Sequence, residues 1–305
     1  MMRVAVIGAG GVGGYFGGRL AQSGVDTTFI VRAATLEALR TRGLRVDSVN
    51  GDFSLAQVNA TDDPSSVGVV DTVLVAVKAW QVPEVAESIR PLVGENTIVV
   101  PLENGMEAPE QLARVLGNDH VLGGLCGIVS YIVEPGRIRH AGSEPFVMFG
   151  PASDAADRLR DAFRAAGVKA DIPPDITRSM WTKFLFIAPM GIGAVTRLPV
   201  GVWRAIPETR ALVTRAVEEV FAVAAARGVT LAEDAVAQTL ARFDALPADA
   251  TSSLQRDVME GKPSELEAQL GAVVRMAAAA NVDVPVCTML YAALLPQERV
   301  ARGET

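Results

Sequence analysis

Glycines at 8, 10 and 13, an arginine at 32 and a lysine at 183 are the residues whose type and spacing in this chain suggest chemistry. Gly8-Ala9-Gly10-Gly11-Val12-Gly13 is a GxGxxG motif. The pattern alone is weak, since glycine turns are common; its setting gives it meaning. Residues 3–7 read as a short buried strand, 15–22 carry helical spacing, and 26–31 read as a second strand. Between a strand and a helix each glycine has its own task. The first makes a tight turn, the second lets a pyrophosphate approach the backbone, and the third lets helix and strand pack closely. The pyrophosphate would lie at the positive end of the helix, where free N–H groups point outward. The expectation is a dinucleotide site.

The end of the second strand bears on which dinucleotide. NAD-selective sites carry an acidic residue about twenty positions on, which accepts hydrogen bonds from the ribose hydroxyls. Here Val31 and Arg32 stand in that place. A guanidinium can pair with a 2′-phosphate in bidentate fashion and stack on adenine, which favours NADP. The competing reading of Arg32 is a solvated charge at a strand end.

Proton transfer has few candidates. There are two histidines, His120 and His140, neither with an acidic partner in the sequence pattern, which argues against a histidine-based mechanism or a histidine-rich metal site. Lys183 lies in Trp181-Thr182-Lys183-Phe184-Leu185-Phe186, one cation at the head of an apolar helix. Desolvation there would make it a usable general acid; alternatively it is a lysine that snorkels to the surface. Glu265 reads as a charge that complements a helix dipole. Ser264 and Glu267 have capping-box spacing, which gives Glu267 a structural role.

The elements that must position these residues fall into two parts. Strands are expected over 69–77 and 97–101, ending at Lys78-Ala79-Trp80 and Glu103-Asn104-Gly105; ligands bind at such carboxyl ends in open α/β sheets. Further strands are expected within 44–58, 121–130, 138–140, 146–149 and 168–172, with helices over 36–42, 107–116 and 155–166. Pro173-Pro174 then marks a boundary. Beyond it the periodicity is helical over 176–186, 207–227, 232–246, 264–280 and 286–295, while 252–257 reads as turn-like. The fold class is α/β: a Rossmann-type dinucleotide-binding domain over 1–172 and an all-α domain over 173–305.

Composition agrees with a globular enzyme. Half of the 305 residues are hydrophobic, so a sizeable core is available and wholesale disorder is excluded. A net charge of -7 argues against nucleic acid or anionic membrane as a partner. The most apolar stretch, 184–195, is too short to span a bilayer and holds Pro189, Gly191 and Gly193. With no signal-peptide core at the N-terminus, the expected location is cytoplasmic. Cys126 and Cys287 form neither a disulfide framework nor a metal quartet.

Taken together, IGAGGVGGYFGGRLAQSG at the start, VAVKAWQ at 75–81, PLENGM at 101–106, WTKF at 181–184 and SSLQRD followed by SEL at 252–266 resemble the ketopantoate reductase (2-dehydropantoate 2-reductase) family over nearly the whole chain. The resemblance implies NADPH-dependent reduction of a 2-oxo acid, ketopantoate to pantoate, as in pantothenate biosynthesis. It implies Gly8, Gly10 and Gly13 as the phosphate loop, with Arg32 and Lys78 at the NADP phosphate and adenosine. Asn104 would hold cofactor, substrate site and catalytic lysine, and Lys183 would protonate the carbonyl oxygen. Glu265 would bind the new hydroxyl and orient Lys183, and Ser253 would bind the substrate carboxylate. No metal is implied, and a homodimer is compatible with the alanine-rich helices.

The chain departs from the family at two places. Asparagines four and eight residues after the lysine are replaced here by Ile187 and Gly191. That favours a larger or more apolar 2-oxo acid, as in a D-2-hydroxyacid dehydrogenase of the same scaffold. A non-catalytic dinucleotide sensor is the reading from another class, and retention of Lys183 and Glu265 speaks against it.

Overall fold

The computed structural model describes residues 2–142 and 144–304. The chain forms two units, Met1–Glu103 with Ala108–Ile176, and Asn104–Glu107 with Thr177–Thr305. The first is built on β1 (Arg3–Ile7), α1 (Gly11–Gln22), β2 (Asp26–Ile30), α2 (Ala33–Arg42), β3 (Leu44–Ser48), β4 (Phe53–Leu55), β5 (Asn59–Thr61), β6 (Thr72–Val75), α3 (Val82–Ser88), β7 (Ile98–Pro101) and α4 (Ala108–Leu116). Strands β5-β2-β1-β6-β7 make a wholly parallel sheet. Val4 and Val6 of β1 face one core with Phe29 and Leu74. Ala5 and Ile7 face the other with Val73 and Val75. Burial on both faces explains why β1, β6 and β7 read as largely apolar runs. The strand order reverses beside β1, so Gly8 lies at a topological switch point, the usual ligand crevice of such sheets.

The unit continues with β8 (Gly123–Gly127), β9 (Ser130–Glu134), β10 (Arg137–His140), β11 (Phe146–Gly150), α5 (Asp154–Ala165) and β12 (Lys169–Asp171). They complete two smaller sheets, β4-β3-β10-β9 and β12-β11-β8. Both histidines have structural partners here. His120 Nδ1 lies 3.1 Å from the Thr97 carbonyl oxygen, and buried His140 Nδ1 lies 2.8 Å from Ser48 Oγ.

All the elements of the second unit are helical. They are α6 (Ile176–Ile187, its first residue in the first unit), a 3-10 turn (Ala188–Met190), α7 (Gly191–Thr196), α8 (Val200–Ala205), α9 (Pro207–Ala226), α10 (Ala235–Ala245), α11 (Ser253–Met259), a π-helical turn (Glu267–Gly271), α12 (Ala272–Ala280) and α13 (Pro285–Arg302). One core runs from Trp181 to Leu294. Buried Glu219 caps α13 by accepting from the N–H groups of Val286 and Cys287 at 3.0 and 2.9 Å. Burial first, and then the negative charge of Glu219, push the Cys287 thiol pKa well up, which disfavours the thiolate. No helix among the described residues is long and apolar enough to cross a membrane.

Three expectations for this part are corrected. Residues 253–257 are helical, because Ser252 caps the helix, its Oγ accepting from the Gln255 N–H at 3.0 Å, and Leu254 and Val258 are buried. The expected capping box does not form: the Ser264 N–H and hydroxyl both donate to Glu298, at 3.0 and 2.5 Å. Finally, the helix foreseen over 264–280 begins as a π turn, closed by the Gly271 N–H on the Leu266 carbonyl at 3.0 Å.

Candidate active site

Lys183, Asn104 and Glu265 come together within the helical unit. Helix α6 buries Trp181, Phe184 and Leu185, which leaves Lys183 half-buried on the remaining face. Its ammonium donates to Asn104 Oδ1 at 2.9 Å, and Asn104 Nδ2 donates to Glu265 Oε2 at 3.2 Å. Glu265 is 7% exposed. One amide therefore joins a cation to a carboxylate, oxygen toward the donor and NH2 toward the acceptor. Reversal would set donor against donor and acceptor against acceptor, so the two charges fix the amide's orientation.

Asn104 reaches this place through a turn that departs from β7. Gly105 has φ of 117°, and a Cβ there would lie 2.6 Å from the Ala268 carbonyl oxygen. Only glycine permits both the dihedral and the approach. Met106 packs against the helical core. Glu265 stands two residues before the π turn, an irregularity that often marks functional sites.

Ile187 lies one helical turn after Lys183, on the same face. A Cβ at Gly191 would lie 2.5 Å from Leu270 Cδ1, so Leu270 holds the space a side chain at 191 would need. Gly191→Asn is expected to cost about 1–3 kcal/mol from overpacking. Combined with Leu270→Ala, its loss should be smaller than the sum of the single losses, read as coupling in a denaturation cycle. Simple additivity would show that Leu270 does not guard that space. Ser253 is the first residue of α11, and among the described residues its hydroxyl has no hydrogen bond within the protein.

The other sequence-derived positions lie in the first unit. Gly8 has φ of 90°, and a Cβ on it would come within 2.9 Å of the Ala76 carbonyl oxygen. A Cβ on Gly13 would collide with the Gly8 carbonyl oxygen. Gly10 precedes α1, among the described residues no side chain caps the helix, and the first turn has no acidic residue. Its first N–H groups are thus left for an anion. These features fit a pyrophosphate. Arg32 precedes α2, and its guanidinium pairs with Glu84 at 2.8 Å. Lys78 follows β6, its ammonium 5.8 Å from the Trp80 ring centre. Sequence reasoning missed Glu84, whose place opposite Arg32 depends on α3, a helix the apolar spacing did not disclose.

The sequence profiles described as Ketopantoate reductase PanE/ApbA and its C-terminal part match residues 4–154 and 175–298. An uncharacterized oxidoreductase, YkpB, of Bacillus subtilis is 31% identical over 96% of this chain and 98% of its own. A 2-dehydropantoate 2-reductase of a Nostoc species is 30% identical over 95% and 93%. The crystal structure of 2-dehydropantoate 2-reductase from Geobacter metallireducens superposes with a TM-score of 0.91 at 33% identity, covering 97% of this chain and 99% of that one.

Proposed function

The chain belongs to the ketopantoate reductase family of oxidoreductases, and from that premise we propose that it reduces a 2-oxo acid to the 2-hydroxy acid with NADPH. The observation that carries the reading is the Lys183–Asn104–Glu265 chain of hydrogen bonds. When bound, the reduced nicotinamide supplies a hydride to the carbonyl carbon. Negative charge then develops on the carbonyl oxygen, and an ammonium aimed there stabilises the transition state more than the ground state. Lys183 Nζ gives that oxygen its proton. Asn104 holds the ammonium in place, and Glu265 fixes Asn104 and receives the new hydroxyl. Ser253 takes the substrate carboxylate. Gly8, Gly10 and Gly13 hold the pyrophosphate, with Arg32 and Lys78 toward the 2′-phosphate and adenosine. On this reading the protein works in the cytoplasm on a small-molecule substrate.

Ketopantoate is the first substrate to test. The packing of Leu270 at Gly191, with Ile187 one turn from Lys183, favours a second reading in which the acid is larger and more apolar. Initial rates of NADPH oxidation with ketopantoate, beside branched and aromatic 2-oxo acids, decide between them. No turnover of any member of the panel would overturn both.

Arg32→Ala should raise the KM for NADPH about tenfold or more, since charge-assisted hydrogen bonds contribute ~1.5–3 kcal/mol. The KM for NADH should stay unchanged. Glu84→Gln should act in the opposite direction, because its carboxylate competes for the guanidinium and repels a phosphate. Equal effects on the two cofactors would sink the 2′-phosphate assignment.

A further inference from the structure

Arg275 of α12 binds both chain segments that carry the polar groups around Lys183. Its Nη2 and Nε donate to the two carboxylate oxygens of Glu107, at 2.8 and 3.3 Å. Its Nη1 donates to Glu267 Oε2 and its Nη2 to the Glu267 carbonyl, each at 2.7 Å. Glu107 lies three residues after Asn104, and Glu267 two residues after Glu265. The Tyr291 hydroxyl completes the cluster by donating to Glu267 Oε1 at 2.6 Å.

We propose that Arg275 is a positioning residue for the reduction, a clamp that holds the 104–107 turn and the 265–267 segment in the register at which Asn104 joins Lys183 to Glu265. The inference rests on the reductase reading above. A planar guanidinium suits the task, since its fixed fork can meet a carboxylate with two parallel bonds and still offer donors to a second segment. The Asn104–Glu265 bond, at 3.2 Å, has little slack before it is lost. A displacement of about 1 Å at such a site can cost about 10²-fold in rate.

The test uses the full-length protein with Arg275→Met, Arg275→Lys and Glu107→Gln. NADPH affinity is measured by fluorescence, and kcat with the best acid of the panel. The chain has only four lysines, so reductive ¹³C-methylation gives few signals, and Lys183→Arg assigns that of Lys183. Dimethylated Lys183 retains one N–H for Asn104. Arg275→Met and Glu107→Gln should lower kcat about 10–100-fold, leave NADPH affinity within twofold, and move the Lys183 signal. Arg275→Lys should fall between them and the wild type. A lower melting temperature with kcat and the Lys183 signal unchanged would overturn the clamp. If the wild type reduces no 2-oxo acid the reductase reading fails, while the Lys183 signal still reports on the clamp: movement upholds its geometry, and a fixed signal refutes it. If Arg275→Met does not fold, Glu107→Gln carries the same comparison with a smaller change.

Discussion

Lys183→Met should lower kcat about 10²–10⁴-fold, the span expected when a positioned general acid is removed. NADPH affinity should stay within twofold. Methionine keeps most of the length and apolar contact of the lysine stem, so α6 loses little packing when Trp181, Phe184 and Leu185 remain buried. What disappears is the donor facing Asn104 Oδ1. The amide is then free to turn, and Glu265 loses a partner held in place from the other side. On the proposed reductase reading two effects add: the substrate oxygen would lack its proton source, and the charge that develops there would lose its cation. A variant with at least half the wild-type kcat would place the proton donor elsewhere. Loss of NADPH binding instead would make Lys183 a cofactor ligand.

Gly13→Ala carries the second large effect. The added methyl group would collide with the Gly8 carbonyl oxygen and reach 3.0 Å from Ala76 Cβ. The first obstacle is backbone, so α1 must move away from β1. The cost should be about 1–3 kcal/mol, the usual range for overpacking. The same shift carries the free N–H groups of α1 out of line with a pyrophosphate, so cofactor affinity should fall at least about tenfold, equivalent to ~1.4 kcal/mol. Gly24→Ala is the control. Gly24 has φ of 90° but, among the described residues beyond its chain neighbours, nothing within 4 Å of a Cβ, so it should suffer strain without loss of binding. Chemical denaturation and NADPH fluorescence titration of both variants provide the comparison. Equal losses of affinity would show that helix–strand contact at Gly13 is not what shapes the phosphate loop.

The first βαβ unit was legible because its signals are local. Glycine spacing, a β-branched run and a helical period all lie within thirty residues. The short edge strand β5, Asn59-Ala60-Thr61, is polar and has no alternation to betray it. It is a strand because β2 offers it an open edge. Edge strand β9 likewise holds exposed Tyr131, Ile132 and Val133 in succession, against the usual alternation. In the helical unit, long periodic helices such as α9 could be read, but Ser264 could not. Its spacing to Glu267 satisfies a local rule, and Glu298, 34 positions away, takes the bond instead. Lys183 stood out by its apolar neighbours. Bringing it to Asn104 and Glu265 needed the family resemblance, because separations of 79 and 161 positions leave no local trace.

The placement of Asn104–Glu107 has a consequence for recombination. By sequence these four residues sit between β7 and α4, inside the first unit, yet by contact they belong with 177–305. The module that would be exchanged between relatives to alter substrate choice is therefore discontinuous. A chimera joined once near residue 176 would keep the host's turn and set it against a foreign partner for Glu107 and a foreign carbonyl opposite Gly105. Such hybrids should fold and bind nucleotide yet turn over poorly, until the four-residue turn is transplanted with the helices it serves.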